Sequence, residues 1–210
     1  MITIAIAKGR MQDDALALLQ SGGICLAPES LATRRLAMND TSSRYRFIFV
    51  KPSDVPVYVE HGIADCGVVG RDVLLESEAD LLLPVDLGIA QCKIVVAGID
   101  PDVLTRDRGM LRVATKYSRI ASTHFGSHGV PVEIINLSGS VELAPALGLS
   151  DVIVDLVETG TTLRENGLSI IEVITQSTGR LAVNRASYQL KTKDIIELID
   201  AIESVVKVTR

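Results

Sequence analysis

Asp155, Glu158 and the run Thr159-Gly160-Thr161-Thr162 are the densest group of chemistry-bearing residues in the chain. The apolar stretch before them, from Asp151, reads as a buried strand that delivers two carboxylates to its carboxyl end. A hydroxyl-rich turn then opens into a helix. This arrangement suits a phosphorylated sugar. Successive backbone N–H groups at a helix start bind phosphate, the threonine hydroxyls of Thr159, Thr161 and Thr162 add donors, and Gly160 lets the backbone come close. A carboxylate just upstream can accept hydrogen bonds from vicinal ribose hydroxyls. The same residues also fit a plain capped helix, with Thr159 as the cap and both carboxylates on a solvated edge; spacing alone leaves both readings open.

A second group, Lys8-Gly9-Arg10, closes the first apolar run. Open α/β sheets bind ligands at the carboxyl ends of their strands. An ammonium and a guanidinium around a glycine suit a polyphosphate, the first as a point charge and the second as a bidentate fork. Arg34, Arg35 and Lys51 lie in or beside expected strands of the first half, and either Arg34 or Arg35 could point towards a ligand. Each of these charges also reads as an ordinary exposed cation. No P-loop, no Gly-x-Gly-x-x-Gly and no Gly-x-Ser-x-Gly is present. His124 and His128 stand four apart, but Gly126 intervenes and no carboxylate or cysteine sits at ligand spacing, so core-edge or solvated histidines are expected. His61 reads as a helix-end residue.

The 210 residues are 47% hydrophobic and 22% charged, which is a globular balance. Lys plus Arg number 21 and Asp plus Glu 26, a formal charge of −5. With three Phe, four Tyr and no Trp, the chain offers neither the basic face nor the stacking surface of a nucleic-acid binder. Any anionic ligand must therefore be held by locally placed cations or amides. No apolar run reaches the roughly 18 residues of a membrane span, and the first apolar run lacks the basic leader of an export signal. The three cysteines, Cys25, Cys66 and Cys92, fit no disulfide framework or zinc site. They are expected as buried small hydrophobes in a reducing, cytoplasmic setting.

The elements that must position these residues alternate between strands and helices. Strands are expected at Ile2–Ala7, Leu31–Met38, Tyr45–Val50, Ala64–Val69, Leu81–Asp86, Ala90–Gly98, Arg112–Thr115, Val132–Asn136, Asp151–Leu156, Ser169–Ile174 and Gly179–Ala186. Helices are expected at Met11–Gln20, from Ser53 or Asp54 to about Glu60, from Asp72, around Ser118–Phe125, and over Ser140–Leu147. A closing amphipathic helix is expected to carry Ile195, Ile196, Ile199, Ile202, Val205 and Val206 on its apolar face. Such alternation predicts an α/β fold with helices on both faces of parallel or mixed sheets. Two lobes are expected, residues 1–88 plus 179–210 and residues 89–178, with crossings near Leu87–Gln91 and Gln176–Arg180.

Taken together, the chain resembles ATP phosphoribosyltransferase, the family that opens histidine biosynthesis. The family signature is present as Glu142, Gly148, Ser150, Ile153, Asp155, Leu156 and Thr159-Gly160-x-Thr162-Leu163. Beside it stand Lys8-Gly9-Arg10, the Asp54–Gly62 stretch, Ala64-Asp65-x-Gly67-x-x-Gly70 and Leu137-x-Gly139-Ser140-Val141-Glu142. Each motif alone is common; five in order are specific. One position departs from the pattern, since relatives commonly carry Arg where Lys51 precedes Pro52-Ser53-Asp54.

The resemblance implies a two-lobed fold like the type II periplasmic binding proteins, with mixed sheets flanked by helices and the active site in a central cleft. It implies ATP and phosphoribosyl pyrophosphate as substrates, with Mg²⁺ carried by the pyrophosphate rather than by a protein ligand set. Asp155, Glu158 and the Thr159–Thr162 turn would hold the phosphoribosyl moiety in the second lobe. Lys8, Arg10, Arg34 and Lys51 would face the pyrophosphate and the ATP phosphates from the first. The end of the chain at Arg210, directly after the amphipathic helix, reads as the short form of the family. That form implies a homodimer within a hetero-oligomer whose regulatory subunit resembles histidyl-tRNA synthetase. The rivals are another phosphoribosyltransferase and a non-catalytic two-lobed ligand-binding domain.

Overall fold

The computed structural model describes residues 1–26, 36–105 and 109–209. The chain forms two compact units, Met1–Ala90 with Thr178–Arg210, and Gln91–Ser177. Each is a mixed sheet covered by helices on both faces.

In the first unit the described strands are β1 (Ile2–Ala7), β2 (Ala37–Asn39), β3 (Tyr45–Val50), β4 (Cys66–Gly70), β5 (Leu82–Asp86) and β11 (Gly179–Val183), in the order β2-β3-β1-β4-β11-β5. β3, β1 and β4 run parallel, so their carboxyl ends share one edge. Alternate residues of β1 go to opposite faces, as the two-residue period of a strand requires. Ile2, Ile4 and Ile6 pack on α1 (Gln12–Ser21) and on the closing helix α8 (Thr192–Thr209), through Leu19, Ile195, Leu198 and Ile202. Ala5 and Ala7 pack on α2 (Val55–Glu60) and α3 (Arg71–Ser77), through Val55, Val59 and Leu74. Asp65, just before β4, ties this sheet to the chain's last helices. Its carboxylate accepts from the Thr3 amide at 2.8 Å, from the Ser187 hydroxyl at 2.7 Å, and from Lys191 Nζ at 2.8 and 2.9 Å.

In the second unit the strands are β6 (Cys92–Gly98), β7 (Leu111–Thr115), β8 (Val132–Asn136), β9 (Val152–Val157) and β10 (Ser169–Ser177), in the order β10-β6-β9-β7-β8. β9, β7 and β8 are parallel, β6 runs the other way between β9 and β10, and β10, antiparallel to β6, shares the direction of β9. Helix α4 (Ser118–Ser127) packs Ile120, Ala121 and Phe125 against Ile94, Val113, Val152 and Val154. The opposite face carries Val95, Ala114, Ile153 and Val157, covered by α5 (Leu143–Ala146) and α6 (Thr161–Glu165) through Ala144 and Leu163.

Several expectations are corrected by these elements. The last short strand stops at Val183, because Asn184 caps a helix α7 (Arg185–Leu190) and its side chain accepts from the Ser187 amide at 2.8 Å. Of the strand expected at Leu31–Met38, residues 31–35 lie outside the described residues, and β2 starts at Ala37. The helix expected over Ser140–Leu147 is a single turn, Leu143–Ala146. Cys66 and Cys92 are buried free thiols, whereas Cys25, beyond the end of α1, is only half-buried. Burial pushes the Cys66 thiol far above its ordinary value, as expected of an inert, apolar cysteine. Among the described residues no helix is long and apolar enough to cross a membrane.

Candidate active site

The carboxyl edge of β9, β7 and β8 gathers three strand-to-helix turns of the second unit. They lead into α6, α4 and α5 respectively. Asp155 lies within β9, and its side chain shares a face with Ile153 and Val157, opposite Val95 of β6. That apolar setting leaves the carboxylate side chain 15% exposed. Its Oδ1 is buried and accepts no hydrogen bond. Burial raises the Asp155 carboxyl above the usual carboxylate range, and Glu142 adds to the rise. The Leu156 amide and Lys116 oppose it. A buried carboxylate oxygen with no donor of its own keeps the capacity to accept a hydrogen bond, and such groups cluster at functional sites.

Glu158 follows the end of β9 and is exposed. Gly160 occupies the position before α6 with φ 76°, the left-handed conformation that glycine adopts without strain. Around it, Thr159 Oγ1 and Thr161 Oγ1 lie 3.1 Å apart, and Arg164 donates to the Thr159 carbonyl at 3.3 Å and to Thr161 Oγ1 at 3.2 Å. Thr159 is not a conventional cap, since Gly160 takes the cap position and no side chain caps α6. Asp155, Glu158, Thr159, Gly160, Thr161 and Thr162 thus stand together on one edge.

A threonine fastens this edge from the neighbouring strand. The Thr115 hydroxyl donates to the Val154 carbonyl at 2.6 Å and accepts from the Tyr117 amide at 2.8 Å. It therefore stitches β7 to β9 directly beside Lys116 and Asp155. Thr115→Val keeps the shape but leaves a buried amide without an acceptor and a carbonyl without its donor. A loss of about 1–2 kcal/mol in chemical unfolding is expected; unchanged stability would remove the stitch from the account.

The first unit places its cations on the carboxyl edge of β3, β1 and β4. Ala7 pairs with Val50, and the Lys8 amide donates to the Val50 carbonyl at 2.8 Å, so Lys8 and Lys51 leave adjacent parallel strands side by side. Both are exposed, as is Arg10. Gly9 turns the chain between Lys8 and Arg10 at φ 98°, where a side chain would be strained. Arg34 and Arg35 lie outside the described residues.

Sequence reasoning passed over Lys116 and Arg112. Lys116 follows β7 as Lys8 follows β1, so the rule that selected Lys8 also selects it; its Nζ is 3.6 Å from Asp155 Oδ1. Arg112 binds both oxygens of Asp151 (3.3 and 3.0 Å) and the Gly148 carbonyl (2.9 Å), fixing the entry to β9. Its partners are distant in sequence, and no local signal marks it. His61 does end α2. His124 meets a carboxylate that spacing did not reveal, Glu172 of β10, at 3.3 Å. Among the described residues no group of three or more His, Cys, Asp or Glu side chains is arranged to hold a metal ion.

Comparison with known proteins bears on the same residues. The family described as HisG, ATP phosphoribosyltransferase, matches residues 51–204, a span that includes Asp155 and the Thr159–Thr162 turn. The ATP phosphoribosyltransferase of Sorangium cellulosum is 48% identical over 97% of this chain and 95% of its own length. That of Geobacillus kaustophilus is 48% identical over 98% and 99%. The solved ATP phosphoribosyl transferase (HisG:HisZ) complex from Thermotoga maritima includes a chain with a TM-score of 0.84 and 35% identity, covering 99% of each. A family match across the site, near-half identity from end to end and a shared fold agree that the chain belongs to the ATP phosphoribosyltransferase family.

Proposed function

We propose that this chain transfers the phosphoribosyl group of phosphoribosyl pyrophosphate to N1 of the ATP adenine and releases pyrophosphate, the first step of histidine biosynthesis. The observation that carries the site assignment is Asp155, a half-buried carboxylate whose Oδ1 accepts no hydrogen bond, beside the Gly160 turn. Asp155 accepts the ribose hydroxyls, and the Thr159–Thr162 turn takes the 5-phosphate. Lys8, Arg10, Arg34 and Lys51 receive the diphosphate and the ATP phosphates.

The chemistry asks little of acids and bases. Adenine N1 is already a neutral lone pair, so it needs no prior deprotonation. The bond from ribose C1 to the diphosphate oxygen breaks with its electron pair leaving on pyrophosphate, and the N1–C1 bond forms. The protein's part is alignment and stabilisation of the charge that leaves. Asp155 and Glu158 also oppose positive charge that grows on the ribose ring. Magnesium usually keeps several waters and is held by one or two carboxylates together with substrate phosphates. The ion is taken as carried on the diphosphate rather than by a protein ligand set; when bound there, it would neutralise charge on the departing pyrophosphate.

Arg10→Ala and Arg34→Ala are each expected to lower kcat about tenfold, the worth of one charge-assisted hydrogen bond to the leaving group. Steady-state rates that match the parent in both variants would refute the cation role. Pyrophosphate release from ATP and phosphoribosyl pyrophosphate together, in Mg²⁺, tests the whole reading. Release with a free base or orotate instead points to another phosphoribosyltransferase, and binding without release to a ligand-binding domain. The ordered motifs favour the ATP enzyme. We extend the reading to a cytoplasmic enzyme of the short form, a homodimer within a hetero-oligomer containing a regulatory subunit similar to histidyl-tRNA synthetase. The Thermotoga neighbour, itself a HisG:HisZ complex, supports that assembly.

A further inference from the structure

We propose that Lys116 is a positioning residue that holds Asp155 as a carboxylate, so that Asp155 meets the ribose hydroxyls only as an acceptor. The proposal rests on the sugar placement given above. Its geometry is set by the backbone. Thr115 pairs with Val154 across parallel β7 and β9, which places Lys116 alongside Asp155. The Thr115 hydroxyl binds the residue before Asp155 and the residue after Lys116, so the two side chains leave a clamped frame.

Lys116 Nζ lies 3.6 Å from Asp155 Oδ1 and 4.9 Å from the centre of the Tyr117 ring, whose face attracts the ammonium. At that distance the charge favours ionised Asp155 without occupying a lone pair, and Oδ1 indeed accepts no hydrogen bond. A carboxylate is a pure acceptor that can take both vicinal hydroxyls as donors. A protonated carboxyl carries a donor of its own and loses part of that capacity.

The groups around Asp155 leave this task to Lys116. On β6, buried Val95 stands opposite Asp155 and exposed Lys93 opposite Val157, while Ile153 and Val157 flank Asp155 on its own face. Besides the Leu156 amide, the charged groups acting on it are Lys116 from the end of β7 and Glu142 from the turn before α5. Burial and Glu142 favour the proton, and Lys116 opposes it.

The test compares Lys116→Met, which keeps the alkyl stem, with Lys116→Arg, which keeps the charge, in the full chain. ¹³C-carboxyl NMR of the ligand-free protein follows Asp155. The Met variant is expected to raise its titration midpoint by about one pH unit, the lower end of the effect of a neighbouring opposite charge, because the Lys116 side chain is 43% exposed. The Arg variant is expected to leave it near the parent value. Calorimetry with phosphoribosyl pyrophosphate should show the acid limb of affinity moving up by the same amount in the Met variant alone, with affinity recovering at higher pH. An unmoved Asp155 midpoint overturns the proposal. So does an equal loss of affinity at every pH in both variants, which would make Lys116 a direct ligand contact. A raised midpoint with an unmoved affinity profile overturns instead the placement of the sugar on Asp155.

Discussion

Asp155→Asn is expected to melt slightly higher than the parent at pH 7 and to use phosphoribosyl pyrophosphate about a hundredfold less well. The two effects share one cause. Asp155 is a charge held in an apolar wall, with burial raising its carboxyl above the usual range. Above that folded value the group is ionised in both states, and the folded state bears the cost of desolvation. As pH falls through the raised value the folded state takes up the proton first, and the cost is relieved by the time the unfolded value of about 3.9 is passed. The advantage of the amide is therefore largest near neutrality and disappears below about pH 4. Removing roughly 1 kcal/mol of such a penalty raises the melting midpoint of a chain this size by about 2–4 °C. On the proposed sugar placement, the same substitution takes a charged acceptor from two ribose hydroxyls. A loss of about 2.7 kcal/mol, within the range for hydrogen bonds to a charged group, is a hundredfold in kcat/KM. Thermal unfolding and kcat/KM on the same preparation check both. A lower melting midpoint with unchanged kcat/KM would make Asp155 one half of a structural ion pair with Lys116.

Asp65→Ala carries the largest expected loss of stability, about 3 kcal/mol in urea unfolding at pH 7. Asp65 is the opposite case to Asp155, because every oxygen is used. Its side chain is 6% exposed and it accepts from Thr3, Ser187 and Lys191. The truncation leaves a buried amide, a hydroxyl and an ammonium without their acceptor. Lys191 is 41% exposed and can turn to water, which keeps the cost at the lower end for a broken partly buried pair. Burial alone would raise the Asp65 carboxyl. The Lys191 ammonium, the Thr3 amide and the Ser187 hydroxyl outweigh it and hold the group below its ordinary value. Its stabilising contribution is thus present above about pH 4 and is lost as pH falls through the depressed folded value. The gap between Asp65→Ala and the parent should be constant between pH 5 and 8 and narrow under acid. A gap that persists at pH 2, or a variant as stable as the parent at pH 7, would show that the carboxylate does not hold β1 and β4 to the last helices.

Lys8 at the end of β1, Asp155 within β9 and the Gly160 turn before α6 were all legible along the chain. Each is announced by its neighbours: an apolar run makes the strand, a glycine permits the positive φ, and hydroxyls follow. Local backbone preference and burial period are short-range properties, so a window of ten or so residues carries them. The α/β alternation was legible for the same reason, whereas the division into two lobes came with the family resemblance. Where a short-range signal was read past its end, at Arg185 and Ala186, the Asn184 cap turned the chain into a helix.

What joins those elements laterally could not be read that way. Thr115 and Val154 are 39 residues apart, and only the parallel register of β7 beside β9 brings Lys116 to Asp155. Glu172 reaches His124 across 48 residues, and Lys191 reaches Asp65 across 126. These contacts depend on which strand lies next to which and on how deeply each carboxylate is dried. Both follow from packing distant segments into one core, where nearest-neighbour spacing along the chain has no influence. The types of the reacting groups are thus written locally. Their ionisation is an outcome of the fold: Asp155 stays short of donors with its carboxyl pushed up, and Asp65 is saturated with its carboxyl pulled down.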